Sequence, residues 1–181
     1  MRQWDKYLGA FLDVYAYCLL PTHYHFFTRV KEITSQDLSS FTKLPKFSKD
    51  VDNAENEGAL DVNRILENQF KNFLRSYALA FNKENSRTGS LFEKGFKRIR
   101  VDNSQYFTAV IHYIHNNPIH HHCTDSYEKW RFSSYNSILS NKSTKVKKEE
   151  ILEWFGSAAD FIECHLENIK YEKIDKFLFM H

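Results

Sequence analysis

The three cysteines in this 181-residue chain, Cys18, Cys123 and Cys164, stand far apart and form no Cys-x-x-Cys pair. An odd number without framework spacing argues against a disulfide scaffold and for reduced thiols, as in a cytoplasm. No apolar run approaches the roughly 20 residues of a membrane-spanning helix. The N-terminus lacks the apolar stretch of a secretory signal. Charge of one sign is missing too: 25 Lys and Arg meet 23 Asp and Glu, a net charge of +2. A nucleic-acid surface would therefore have to come from local clustering. No internal repeat is visible. These absences lead us to expect a soluble, cytoplasmic protein.

What the chain does have is apolar and aromatic residues, 42% and 16% of the sequence, enough for a folded core. Its length fits one domain, alone or with a helical appendage. Trp4, Tyr7, Leu8 and Phe11 recur at helical spacing, so residues 1–12 predict a short amphipathic helix, weakened by Gly9. The run from Val14 to Leu20, the corner Pro21-Thr22 and the return His23–Val30 predict a β-hairpin. Residues 31–61 read as a long polar loop, a mobile or functional excursion. Val62, Ile65, Leu66, Phe70, Phe73, Leu74, Tyr77 and Phe81 predict a helix over 62–82. Phe96 to Val101 alternate as a strand does. Asp102, Asn103 and Ser104 are N-cap candidates for a helix that Pro118 should stop after Asn117. Its buried stripe is Phe107, Val110, Ile111 and Ile114. Trp130, Phe132 and Tyr135 offer packing surface beneath the domain. Two short helices, 147–155 and 157–169, follow, separated by Gly156.

Several of these stretches carry chemistry. Residues two apart on a strand share a face, so His23 and His25 stand side by side, with Tyr24 and Phe26 turned the other way into a core. Two imidazoles at that spacing can hold one divalent metal with positions left open. On the tripeptide alone, a half-buried strand with two polar residues is the favoured account. Asn117 lies four residues after Tyr113, so a phenol and an amide emerge from one flank of a helix. A boundary tyrosine and a helix-terminal asparagine are the alternative. Lys71 and Arg75, four apart, are either a solvated face or phosphate contacts. Arg87, Lys94, Lys97, Arg98 and Arg100 fall within fourteen residues, interleaved with Phe92 and Phe96. That is a nucleic-acid surface or a basic edge strand protected from aggregation. Five of nine histidines lie within residues 112–122. Three consecutive ones cannot all face one centre, so His120, His121 and His122 read as an exposed loop.

Four runs together resemble a known family: YAYCLLPTHYHFF, FLRSYALAFNKENSRTGSLFEKGFK (73–97), YIHNNP (113–118) and WRFSSY (130–135). In that order, over most of residues 13–140, they are similar to the REP-associated tyrosine transposases, within the single-tyrosine HUH endonucleases of the IS200-like superfamily. The resemblance implies an α+β, ferredoxin-like antiparallel sheet with helices on one face. It implies a catalytic domain over 1–140, containing the 31–61 loop, and a C-terminal helical extension over 141–181. His23 and His25 match the metal-binding histidines, Asn117 the polar residue completing the metal site, and Tyr113 the nucleophile.

The activity so implied is metal-dependent nicking and rejoining of single-stranded DNA beside hairpins, through a 5′-phosphotyrosine. Mg²⁺ or Mn²⁺ would be the cofactor. Arg29, Lys71, Arg75, Arg87, Lys97, Arg98 and Arg100 are the candidates for holding the DNA, by a monomer or a homodimer. A truncated or domesticated relative that binds hairpin DNA without cutting is the alternative. Two departures stand out. Family members usually open with a strand ahead of the first helix, whereas this chain opens at MRQWDKYLG inside it, so the N-terminal first strand is expected to be missing. Gly95 stands where an arginine is often found.

Overall fold

A computed structural model describes residues 2–34, 62–93 and 96–167. The long loop expected over 31–61 lies outside them from residue 35, as do Lys94, Gly95 and the end of the last expected helix. The protein is α+β, with a two-stranded antiparallel sheet and several helices among the described residues. None of those helices is long and apolar enough to cross a membrane. The chain divides into two compact units, Met1–Leu12 with Val30–Phe96, and Asp13–Arg29 with Lys97–His181.

In the first unit, α1 (Arg2–Tyr7) packs on α2 (Val62–Glu84). Trp4 is buried and meets Phe70 and Phe73 edge-on, with ring centroids 6.5 and 5.6 Å away. The helix ends at Tyr7, short of the expected residue 12. Leu8 and Gly9 both donate to the Trp4 carbonyl, and a Cβ on Gly9 would come within 2.9 Å of the Asp5 backbone. Glycine is required by that close approach. Phe11 and Ile65 form a second small core with Leu12, Ile33 and Leu66. The apolar stripe of α2 is only half covered: Ile65 is buried, whereas Tyr77 is 45% exposed. Beyond α2 the chain turns back through Ser86 and Gly89, both at positive φ, and Asn82 Nδ2 donates to the Gly89 carbonyl at 2.8 Å.

No strand forms over 96–101. Alternation supplies a propensity, but a strand needs a partner edge, and the described residues pair none with this segment. Phe96 instead packs on Phe70 at 4.5 Å.

The second unit is built on the hairpin β1 (Leu12–Leu19) and β2 (Tyr24–Val30). Leu20 N–H donates to the His23 carbonyl across the Pro21-Thr22 corner at 2.9 Å. The other edge of β1 is bridged by later chain, at Val14–Val146 and Cys18–Ser133. Next comes α3 (Phe107–His120), entered through a 3₁₀ turn over Ser104–Tyr106 that Asn103 caps by accepting from Gln105 N–H. As the stripe requires, Val110, Ile111 and Ile114 are buried; Phe107 is half-buried. Pro118 does not stop α3, which runs one turn further to His120. The end is closed by His121 N–H to the Asn117 carbonyl and Cys123 N–H to the Pro118 carbonyl.

Short helices α4 (Tyr135–Leu139), α5 (Lys148–Phe155) and α6 (Ala158–Leu166) complete the unit. Tyr135, Ile138, Val146, Ile151 and Phe161 join Tyr15, Ala16, Cys18, Phe27 and the α3 stripe in one core. Gly156 (φ 101°) ends α5, and Ser157 caps α6 by accepting from Asp160 N–H. Phe132, expected beneath the domain, is 45% exposed, with the Arg131 guanidinium over its ring.

Candidate metal and nucleophile site

One assignment of faces in the hairpin is corrected. Phe27 is the β2 residue sunk in the core, while Tyr24 and Phe26 are half-buried and contact each other at 5.5 Å. His23, His25 and Phe27 alternate along the strand, so the histidines belong to the face that meets α3. Phe27 meets Phe107 at 5.4 Å and His25 meets Tyr113 at 5.7 Å between ring centroids. That contact brings the candidates together: a strand face and a helix flank, each carrying two polar residues, are pressed together by the apolar neighbours on either side.

The His23 and His25 rings stand edge to face, 5.1 Å apart. The Thr22 hydroxyl lies 3.0 Å from His23 Nδ1, so that nitrogen is engaged by its own corner. His25 Nε2 is buried and has no hydrogen-bond partner. A buried orphan of this kind costs about 1–3 kcal/mol. Burial lowers the pKa of His25 to about 4, helped by His23 and His121 and opposed by Asn117. The ring is therefore neutral at physiological pH and keeps a nitrogen lone pair, which is the state a metal ligand needs.

Asn117 is buried one turn beyond Tyr113, and its Nδ2 donates to the Tyr113 carbonyl at 2.8 Å. With the amide nitrogen committed, the oxygen is the end that faces the His25 ring and would serve a ligand. Two imidazoles and an amide oxygen make a mixed N/O donor set suited to a divalent first-row metal or Mg²⁺. These residues fit such an ion. Among the described residues no group of three or more His, Cys, Asp or Glu is assembled to hold a metal, so the fit depends on Asn117 as the third donor.

His121 was missed in the sequence. Its exposed ring stands 4.9 Å from His23. The signal was its spacing, four residues beyond Asn117, and it was hidden among three consecutive histidines.

The basic candidates divide between the units. Lys97, Arg98 and Arg100 are exposed in the unit that holds the site. Lys71, Arg75 and Arg87 are exposed in the other, Lys71 paired with Glu67 at 3.2 Å and Arg87 over the Phe81 ring. Arg29 is engaged elsewhere. It bridges Asp13 and Glu150 at 3.1 Å each and lies over the Tyr15 ring, so it ties β2 to β1 and α5. No family model matches the chain, and neither a curated protein nor a solved structure matches it.

Proposed function

We propose that this protein is a metal-dependent nuclease and strand transferase that cuts single-stranded DNA beside hairpins through Tyr113. The observation that carries the reading is the buried, partnerless Nε2 of a neutral His25, held beside His23 and in ring contact with Tyr113. A structural histidine would have its nitrogens satisfied; a ligand histidine keeps one open. The fold this reading implies is ferredoxin-like, and the hairpin facing α3 is the element that supports it.

The Tyr113 hydroxyl oxygen attacks the phosphorus of a phosphodiester. A Tyr113 O–P bond forms, the bond from phosphorus to the 3′ oxygen breaks, the phenol proton leaves, and the 3′ oxygen takes one up. The phosphoryl group stays on the protein, so a 3′-hydroxyl can reverse the reaction and rejoin a strand without ATP. A phenol with an ordinary pKa near 10 is a poor nucleophile at neutral pH. A divalent ion on His23, His25 and Asn117 would supply positive charge to the scissile phosphate. Because none of the three donors is a carboxylate or a thiolate, none of that charge is cancelled. Asn117 and Tyr113 share one helical turn, which fixes nucleophile and ligand relative to each other. Lys97, Arg98 and Arg100 hold the phosphates of the unpaired strand.

The test is a denaturing gel of protein incubated with flanked hairpins and Mn²⁺ or Mg²⁺. A metal-dependent protein–DNA band that disappears in Tyr113→Phe is expected. Hairpin binding with no adduct under any metal would instead establish the second reading, a DNA-binding relative that does not cut. That reading is favoured by the sheet, in which, among the described residues, β1 finds only isolated bridges along its outer edge.

A further inference from the structure

Inside the unit that holds the site, polar groups from β1, α3, α6 and the start of α4 form a single hydrogen-bonded chain. His165 Nδ1 lies 2.7 Å from the Phe161 carbonyl. A carbonyl only accepts, so Nδ1 carries a proton. His165 is 2% exposed, and burial holds its ring neutral, so its Nε2 is an acceptor. His115 Nδ1, 2.9 Å away, must then donate. The remaining nitrogen of His115, its Nε2, lies 2.7 Å from the Ser134 hydroxyl, which donates to it. The Ser134 oxygen accepts in turn from Tyr17 N–H at 3.0 Å. The Tyr17 carbonyl is 3.3 Å from the same hydroxyl, a longer alternative, and it already receives Ser134 N–H at 3.0 Å. Along the shortest contacts the chain runs in one direction.

We propose that Ser134 is a positioning residue that sets α3 on the hairpin, holding Tyr113 and Asn117 against His23 and His25 through the chain Tyr17–Ser134–His115–His165–Phe161. The functional consequence rests on the nuclease reading; the positioning does not. His115 lies between Tyr113 and Asn117 on α3, and Tyr17 lies on the strand paired with β2. The core that surrounds them is apolar, and apolar packing has no preferred direction. A hydrogen bond weakens within a few tenths of an ångström and with angle, so the chain fixes a helix position that the core alone leaves free to slide. Ser134 is the only member that touches both the hairpin backbone and α3.

The experiment compares the full chain with Ser134→Ala and Ser134→Thr, and with His165→Leu and His165→Gln. Threonine keeps the hydroxyl, and glutamine keeps an acceptor near the place of Nε2. Imidazole nitrogen NMR should find His115 and His165 both protonated on Nδ1. Ring resonances of Tyr113 and His25 should shift in Ser134→Ala and His165→Leu and stay near their original positions in Ser134→Thr and His165→Gln. Mn²⁺ affinity should fall about 10-fold or more in the first pair and recover in the second, as for other residues that orient metal ligands. Either histidine in the opposite tautomer overturns the proposal. So do unmoved Tyr113 and His25 resonances in a folded Ser134→Ala; if that variant does not fold, the His165 pair decides on the same criterion. A wild-type protein that binds no Mn²⁺ and forms no adduct sinks the nuclease reading, and the resonances then decide the positioning alone.

Discussion

Asn117 donates its amide Nδ2 to the carbonyl oxygen of Tyr113 at 2.8 Å, so the backbone of the candidate nucleophile orients the side chain of the third candidate ligand. The side-chain oxygen is thereby turned towards His25, whose ring it engages. Asn117→Ala should lose at least 10-fold in Mn²⁺ affinity and about 1 kcal/mol of stability from the lost hydrogen bond. Calorimetric titration and urea unfolding measure the two effects. Undiminished Mn²⁺ affinity would remove Asn117 from the site.

His25 presents the opposite balance. Its buried Nε2 destabilises the metal-free protein, so His25→Leu should unfold no more easily and gain up to about 2 kcal/mol. The same change should abolish the covalent adduct. A large loss of stability instead would mean that the nitrogen has a structural partner.

Acid should unfold this protein early. The pKa values of His25 and His112 are lowered to about 4 and that of His165 to about 3, in each case chiefly by burial. Unfolded, each binds a proton near pH 6.5; folded, only below about 4. Stability is therefore complete above pH 6.5 and is lost as pH falls towards 3, with a slope of up to about 1.4 kcal/mol per pH unit for each ring. Urea unfolding at pH 7.5, 6 and 5 checks this, and equal midpoints would refute it.

Arg29→Ala separates structure from DNA contact. Removing its pairs with Asp13 and Glu150 should cost up to about 1 kcal/mol and leave the salt dependence of hairpin binding unchanged. Arg98→Ala or Arg100→Ala should reduce the slope of log affinity against log salt by about 1 each, with little effect on stability.

Gly156 sits at φ 101°, and a Cβ there would lie 2.9 Å from Asp160 Oδ2. Gly156→Ala should destabilise by about 1–2 kcal/mol, read as a lower urea midpoint.

The site was legible in the sequence where its geometry is local. Two residues along a strand and four along a helix are fixed by periodicity, so His23 with His25, and Tyr113 with Asn117, follow from counting. Which side of the hairpin faces α3 is not local, and Phe27 rather than Phe26 took the core position. The strand expected over 96–101 failed because alternation says nothing about a partner edge. Pro118 stayed inside α3 because a proline forbids one N–H bond, and the carbonyls around it found donors in the following turn. Ser134 could not be read at all, since its partners lie 117 and 19 positions away.

The bridges from β1 to Val146 and Ser133 also set an order in time. The histidine pair is made before the residues that complete the strand beside it, which lie more than a hundred positions later. Contacts of such separation form late, and a chain made N-terminus first cannot form them until Val146 has emerged. The nascent chain thus carries both histidines long before it can hold them against Tyr113. On the reading proposed above, the cutting site closes only once that later segment has been made.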